Sequence, residues 1–311
     1  MANLPKDFIK TAKICGLEHV LHSKGHLYIE KNKVLSHKMP KGIKIEIAEM
    51  PAGIRVNVTV KKGVKTKEPL FFCFGLKGKS DEQFIMPNIL VEDGADVCVF
   101  THCSFPKAVS ISHKMEAVFK IGKNAKFYYE EHHFHGSRSG AMVIPKLKLF
   151  VEDGGYFNSN FLLTKGSVGQ TSIELDAVLK ANARIEIETK VLGKNSKDIV
   201  SIVDKVVLEG ENSRSLIKMR AAAKDGGKVF MQGETYARSA GAIGHIDCHE
   251  IVSGKSVAKA VPIVEVSNDQ ARITHEASVG KINQKELETL MTRGLNEEKA
   301  TELIIEAMMR E

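Results

Sequence analysis

A short turn signature recurs through the middle of the chain: a Gly or Asn, a small residue, then a strand. It reads Gly94-Ala95-Asp96-Val97, Asn124-Ala125-Lys126-Phe127, Gly154-Gly155-Tyr156-Phe157, Asn182-Ala183-Arg184-Ile185 and Asn212-Ser213-Arg214-Ser215. Looser copies are Gly226-Gly227-Lys228-Val229, Lys255-Ser256-Val257-Ala258 and Gln270-Ala271-Arg272-Ile273. The spacing is about 30 residues at first, then mixes about 14 with about 30, as a solenoid with two strands per coil requires. One such unit is too short to bury its own apolar side, whereas stacked coils bury a continuous aliphatic column. A β-sandwich also has many short strands, but its hairpins call for Asn-Gly or Asp-Gly turns between most neighbours. Here the turn falls once per strand in the same phase, which predicts a parallel β-helix.

Composition agrees. Apolar residues are 43% and charged residues 27% of 311, an ordinary globular balance that excludes disorder and collagen-like repeats. Aromatics are 6% and Trp is absent, so the core must be mostly aliphatic. No apolar run reaches the roughly 18 residues that span a bilayer. Met1 to His26 shows no secretory signal pattern, so the cytoplasm is the expected compartment. The net charge of +7 is spread along the chain. Its densest basic run, Lys61, Lys62, Lys65 and Lys67, reads as a solvated turn between strands, because no aromatic platform for bases accompanies it. The five cysteines are odd in number and include no Cys-x-x-Cys pair, which argues against a disulfide framework and against four-thiolate metal sites. Cys73, in Leu70-Phe71-Phe72-Cys73-Phe74, reads as a buried core thiol.

The expected fold is mostly β: a right-handed parallel β-helix core at 71–280, a short N-terminal α/β segment at 1–70, and a helical segment at 281–311. Phe8, Ile9, Ala12 and Cys15 have helical spacing up to Gly16. Alternation then marks strands at 27–29, 43–47 and 54–60. Past Gly280, Asn283 with Glu286 forms a capping box and Gly294 a stop. Asn296 caps a second helix, so helices are expected over 284–293 and 297–310. Ala300, Leu303, Ile304, Ala307 and Met308 form an apolar stripe on the second.

The densest polar chemistry lies at Gly244-His245-Ile246-Asp247-Cys248-His249-Glu250 and Ile273-Thr274-His275-Glu276-Ala277. Cys248 and the His275-Glu276 pair are one coil apart, so stacking would bring them close. A thiol, an imidazole and a carboxylate suit iron or zinc. On spacing alone, a half-buried solenoid thiol and a surface histidine are the plainer reading. A Cys–His nucleophilic pair is weaker still, since nothing supplies an oxyanion hole. A second cluster is Glu130-Glu131-His132-His133-Phe134-His135-Gly136. Its His133 and His135 would share one strand face, although a strand end with solvated histidines is the plainer reading. No phosphate loop of the Gly-x-x-x-x-Gly-Lys-Ser/Thr type is present. A carbohydrate-active β-helix enzyme is disfavoured by the scarcity of aromatics.

The stretch from Tyr236-Ala237-Arg238-Ser239 onward resembles the SufB/SufD family of iron–sulfur cluster assembly proteins. The matching residues are Gly244-His245-Ile246-Asp247-Cys248, Ala260-Val261-Pro262-Ile263-Val264-Glu265-Val266, Ala271-Arg272-Ile273-Thr274-His275-Glu276-Ala277-Ser278-Val279-Gly280-Lys281-Ile282 and Leu290-Met291-Thr292-Arg293-Gly294-Leu295. The resemblance implies a scaffold, not itself an enzyme, on which a transient iron–sulfur cluster is built. It implies a partner ABC-type ATPase of the SufC or SmsC kind, docked on the C-terminal helices, and apo target proteins that accept the cluster. By motif, Cys248, Glu276 and His275 are the implied metal and cluster ligands. The short chain is closest to archaeal-type, SmsB-like scaffolds, in which one chain pairs with itself as a homodimer. Few thiolates per chain suit a cluster that must be released, and a two-fold axis doubles the ligand set.

Overall fold

The computed structural model describes residues 5–138 and 140–309. In chain order the elements are α1 (Lys6–Ile14), β1 (His26–Glu30), β2 (Lys33–Lys38), β3 (Ile43–Met50), β4 (Gly53–Val60), β5 (Leu70–Gly75), β6 (Glu82–Val91) and β7 (Asp96–Ser104). They continue as β8 (Ile111–Ile121), β9 (Lys126–Phe134), β10 (Ala141–Val151), β11 (Tyr156–Lys165), β12 (Gln170–Leu179) and β13 (Arg184–Gly193). The last are β14 (Ile199–Leu208), β15 (Arg214–Ala223), β16 (Lys228–Ala237), β17 (Ile243–Val252), β18 (Val257–Val266), β19 (Arg272–Lys281), α2 (Gln284–Thr292) and α3 (Glu297–Met308).

From β4 onward alternate strands belong to two facing sheets, one ordered β19-β17-β15-β13-β11-β9-β7-β5-β1-β2 and the other β18-β16-β14-β12-β10-β8-β6-β4-β3. Each strand pairs in parallel with the strand two further on, as in Arg184↔Arg214, Arg214↔Ile243 and Ile243↔Arg272. Only the first hairpins, β1–β2 and β3–β4, are antiparallel. The molecule is the parallel solenoid that the repeat predicts.

The repeated turn explains why the coils stack in register. Gly94, Asn124, Gly154, Asn182, Asn212 and Gly241 all have positive φ, between 53° and 68°. Gly and Asn enter that region at least cost, which is why they recur. Each donates its backbone N–H to the carbonyl just before its counterpart one coil on: Asn124 to Asp153 at 3.0 Å, Gly154 to Ala181 at 2.8 Å, Asn182 to Glu211 at 2.8 Å. The following small residues, Ala95, Ala125, Ala183 and Ala242, are fully buried at the corner. Alternation then sends one row of each strand inward. Val97 and Val99, Phe127, Phe157, and Ile185 and Ile187 form successive steps of one column, each side chain contributing about 1.5–3 kcal/mol by burial.

At the N-terminal end, α1 lays Phe8 and Ala12 over Tyr28, Phe71 and Cys73, so Cys73 is buried beneath a helix. The lysine-rich run is a turn between β4 and β5, where Lys61 pairs with Glu92 at 2.6 Å. At the other end, Asn283 and Asn296 cap α2 and α3 by accepting from the backbone N–H groups of Lys285 and Lys299. Arg310, the expected end of the last helix, lies outside the described residues. The apolar stripe on α3 divides. Met308, joined by Ile305 from outside the expected stripe, packs on Ala222 and Ile251 of the solenoid, whereas Leu303 stays 44% exposed beside Leu290 and Ala307 of the α2–α3 pair. No helix among the described residues is long and apolar enough to cross a membrane.

The turn geometry makes a graded prediction. A Cβ on Gly94 meets open space, while one on Gly154 comes within 2.3 Å of Asn124 Oδ1. Gly94→Ala should cost about 1 kcal/mol, from backbone strain alone. Gly154→Ala should cost clearly more, since the neighbouring turn must also shift. Urea denaturation of both variants checks the order.

Candidate functional site

Strand parity decides what surrounds Cys248. On β17 the inner row is Ile246, Cys248 and Glu250, with Cys248 2% and Glu250 0% exposed. On β19, which closes that sheet, register sets His275 beside Ile246, Glu276 beside Asp247 and Ala277 beside Cys248. His275 therefore shares the row of Cys248, one diagonal step away. Glu276 stands on the opposite row, with Asp247. Within one chain the structure brings Cys248 and His275 to one face and leaves Glu276 on the other. Both β19 residues are exposed, because no further coil covers the end.

The outer row beside Cys248 is held by charge. Arg220 on β15 pairs with Asp247 and also donates to the Asp247 carbonyl at 3.2 Å. That contact holds the Asp247 carboxyl below its ordinary range. On the inner side, burial, helped by the nearby Glu250, pushes the Cys248 thiol up to about 12. Neither carboxylate oxygen of Glu250 has a hydrogen-bond partner, and its burial lifts the group to about 7. Asp204, on the inner row of β14, is likewise buried with Oδ2 unpartnered, and is raised to about 7 for the same reason. The spacing analysis above missed Glu250, although it follows Cys248 by two residues and so must share its face.

A second polar group occupies the column nearer the N-terminus. The histidines of the 130–136 cluster are not a solvated strand end: His133 is 1% and His135 0% exposed. Stacking explains the correction, because β11 covers β9 on one side and β7 on the other. Tyr129, Glu131 and His133 form the inner row of β9, and the chain carries His135 inward beyond its end. Cys103, on the inner row of β7, joins them, so that Cys103, Glu131 and His133 present ligand atoms within 4.8 Å of one another. His113 of β8 comes from the opposite sheet to within 3.9 Å of the Cys103 sulfur. Nothing in the sequence marks His113, because only the stacking of the two sheets brings it there. A cavity of about 40 Å³, walled by Phe119, Phe161, Ile173 and Leu175, lies between Glu131 and Asp204.

The solenoid thus carries a buried polar group in its column and a thiol and an imidazole on one row at its open end. Comparison with known proteins identifies its family. The profile of the SUF system FeS cluster assembly, SufBD core domain, matches residues 75–308. The chain is 39% identical over 293 residues to an iron-sulfur cluster assembly SufBD family protein of Methanocaldococcus jannaschii, covering 94% of this chain and 92% of that one. It is 32% identical over 285 residues to a SufBD family protein of Pyrococcus horikoshii, covering 92% and 86%. The chain belongs to the SufBD family of iron–sulfur cluster assembly proteins.

Asp204 sets a measurable pH dependence. Its native pKa lies above its unfolded value, so the native state holds the proton more tightly. Stability from this group is full below the unfolded value near 4 and falls as pH rises towards 7. The loss is at most about 4 kcal/mol. Asp204→Asn removes the titration, so the variant should gain stability over wild type between pH 4 and 8. Thermal melts across that range check the slope; parallel curves would exclude it.

Proposed function

We propose that the chain is the scaffold subunit on which an iron–sulfur cluster is assembled, as a symmetric pair working with an ABC-type ATPase. The observation that carries the reading is the placing of Cys248 on the inner row one coil beneath an uncapped end that presents His275 and Glu276. Family membership supports the cargo. The thiol of Cys248 is protonated in the free chain, and incoming iron takes the place of that proton. His275 offers an imidazole on the same row, and Glu276 a hard oxygen on the outer one. A single chain offers one thiolate at this end, too few for a stable cluster, which normally has four. The exposed end strands, with Val257, Val264, Val266 and Val279 open to solvent, are an edge that asks to be covered. Pairing two copies there brings both sets of Cys248, His275 and Glu276 about one axis, and the opposite-row Glu276 then serves the shared interface.

The ATPase docks on the α2–α3 pair. Ile305 and Met308 are engaged with the solenoid, which leaves Leu290, Leu303, Ile304 and Ala307 as the apolar groove for the partner. ATP-driven movement of two such partners would pull on the last coils, to which the helices are bonded through Ala222 and Ile251.

Anaerobic reconstitution with iron and sulfide tests the cluster. Cys248→Ala should abolish the visible absorption, and Glu276→Gln should lower its yield without unfolding the chain. Cys15→Ala should leave it unchanged. Light scattering should give a dimer mass; a monomer with and without the ATPase, or a normal spectrum in Cys248→Ala, would sink the reading.

For the partner, Leu303→Asp puts a charge in the groove without touching the face that packs on the solenoid. It should weaken capture of a SufC-like ABC ATPase at least tenfold while leaving the thermal melt within a few degrees of wild type. Undiminished binding would move the docking site elsewhere.

A further inference from the structure

The polar group inside the N-terminal half of the column is independent of the cluster end, and its bonding has the pattern of a metal centre. The directions of its hydrogen bonds follow from one fixed point. His135 Nδ1 lies 2.9 Å from the carbonyl oxygen of Val168, so that nitrogen carries the hydrogen and donates. Burial holds His135 neutral, its pKa well below the ordinary value. Its Nε2 is therefore an acceptor, and at 3.0 Å it accepts from Nδ1–H of His133. That leaves His133 Nε2 facing Glu131 Oε1 at 2.6 Å, with one proton shared between them. The other carboxylate oxygen of Glu131 accepts from the Tyr129 hydroxyl at 3.0 Å. On the opposite sheet, His113 Nδ1 is 2.9 Å from Gln83 Oε1, and the amide of Gln83 donates in turn to the Lys31 carbonyl. The remaining His113 nitrogen, Nε2, points at the Cys103 sulfur.

Glu131 and both histidines are thus anchored from behind, and their front atoms face one another and the Cys103 sulfur. Both histidines turn Nε2 inward and tie Nδ1–H outward to an acceptor, as metal-bound histidines do. Glu131 is tied by Oε2 and presents Oε1. The Cys103 sulfur lies 3.8 Å from Glu131 Oε1 and 3.9 Å from His113 Nε2. A tetrahedral zinc ion, bonded at about 2.3 Å to sulfur and about 2.0–2.1 Å to nitrogen or oxygen, sets its ligand atoms about 3.3–3.6 Å apart. The sulfur contacts need to close slightly, and the His133–Glu131 contact needs to open by about 0.7 Å. A buried thiol, carboxylate and three imidazoles are also an expensive filling for a column whose steps are mostly apolar.

We propose that Cys103, Glu131 and His133 bind one divalent transition-metal ion of zinc-like preference inside the solenoid, leaving its fourth position to an exogenous ligand. Binding releases two protons, one from the Cys103 thiol and the one shared by His133 and Glu131, and the metal takes their place. His135 and Tyr129 position the ligands. The ion cross-links β7 and β9, neighbouring strands of one sheet.

Cobalt(II) is the probe, because a thiolate ligand gives it a charge-transfer band that oxygen and nitrogen ligands do not. The full-length Cys248→Ala protein, produced in cobalt-supplemented medium, removes the cluster end from the signal. It should carry about one cobalt per chain by elemental analysis, with the thiolate band and tetrahedral visible absorption. Adding Cys103→Ser should abolish the band and lower the metal content at least tenfold. His135→Gln, which touches only the back of His133, should weaken binding about 10–100-fold and leave the band in the fraction still loaded. Should Cys103→Ser fail to fold, Glu131→Gln serves instead: the metal content should fall at least tenfold, and full loading would overturn the site. A chain with less than about a tenth of a metal, a cobalt spectrum without the thiolate band, or an unchanged spectrum in Cys103→Ser would overturn the site.

Discussion

The hydrogen bond from each left-handed turn residue to the coil above it is the contact on which the rest depends. It repeats from Asn124 to Asp153, from Gly154 to Ala181 and from Asn182 to Glu211, and it fixes where every strand starts. With the start fixed, parity along a strand is fixed too, and a slip of one residue would exchange the inner and outer rows. Chemistry in this fold is therefore a matter of counting. Cys248 and Glu250 face inward because of the turn at Gly241, and Asp247 faces outward to meet Arg220 for the same reason.

This constraint has an electrostatic consequence. An inner row is shielded from bulk solvent, so a polar side chain placed there keeps its partner or changes its charge. Glu131 keeps Tyr129 and His133. Asp204 and Glu250 lack partners for one or both oxygens and are driven towards the protonated form instead. The two polar regions of the column thus differ in kind. In the one near the N-terminus Glu131 and the histidines His113, His133 and His135 each have hydrogen-bond partners. The one near Cys248 is under-satisfied, with two buried acids that lack partners for one or both oxygens. Groups of the second kind are costly to a fold that uses them only for packing.

Much of this was legible in the sequence, and the divisions have physical causes. The turn repeat was readable because left-handed geometry restricts a position to very few residue types, and the helix starts because Asn283 and Asn296 cap by a local rule. The burial of His133 and His135 was not, since a polar strand end looks the same whether solvent or another coil lies beside it. His113 and Gln83 were invisible for a different reason: they sit on the other sheet and meet Cys103 and Lys31 only through stacking. The stripe expected on α3 leaves out Ile305, because spacing alone does not say which edge of a helix touches the parent domain. Ile305 is buried on the solenoid, while Leu303, inside the expected stripe, stays exposed.

The adjacency of His275 and Glu276 carries its own lesson about assembly. Consecutive residues on a strand face opposite ways, so a His-Glu pair never directs both side chains at one thiol of its own chain. A motif that places them side by side next to an uncovered sheet edge serves two surfaces at once. One row continues the column that holds Cys248, and the other continues the row of Asp247 and Arg220, where a second copy can reach it. The incompleteness of the ligand set in a single chain then follows from strand geometry itself. In the proposed pair, association would complete the set and separation would take it apart, which suits the release of a cluster.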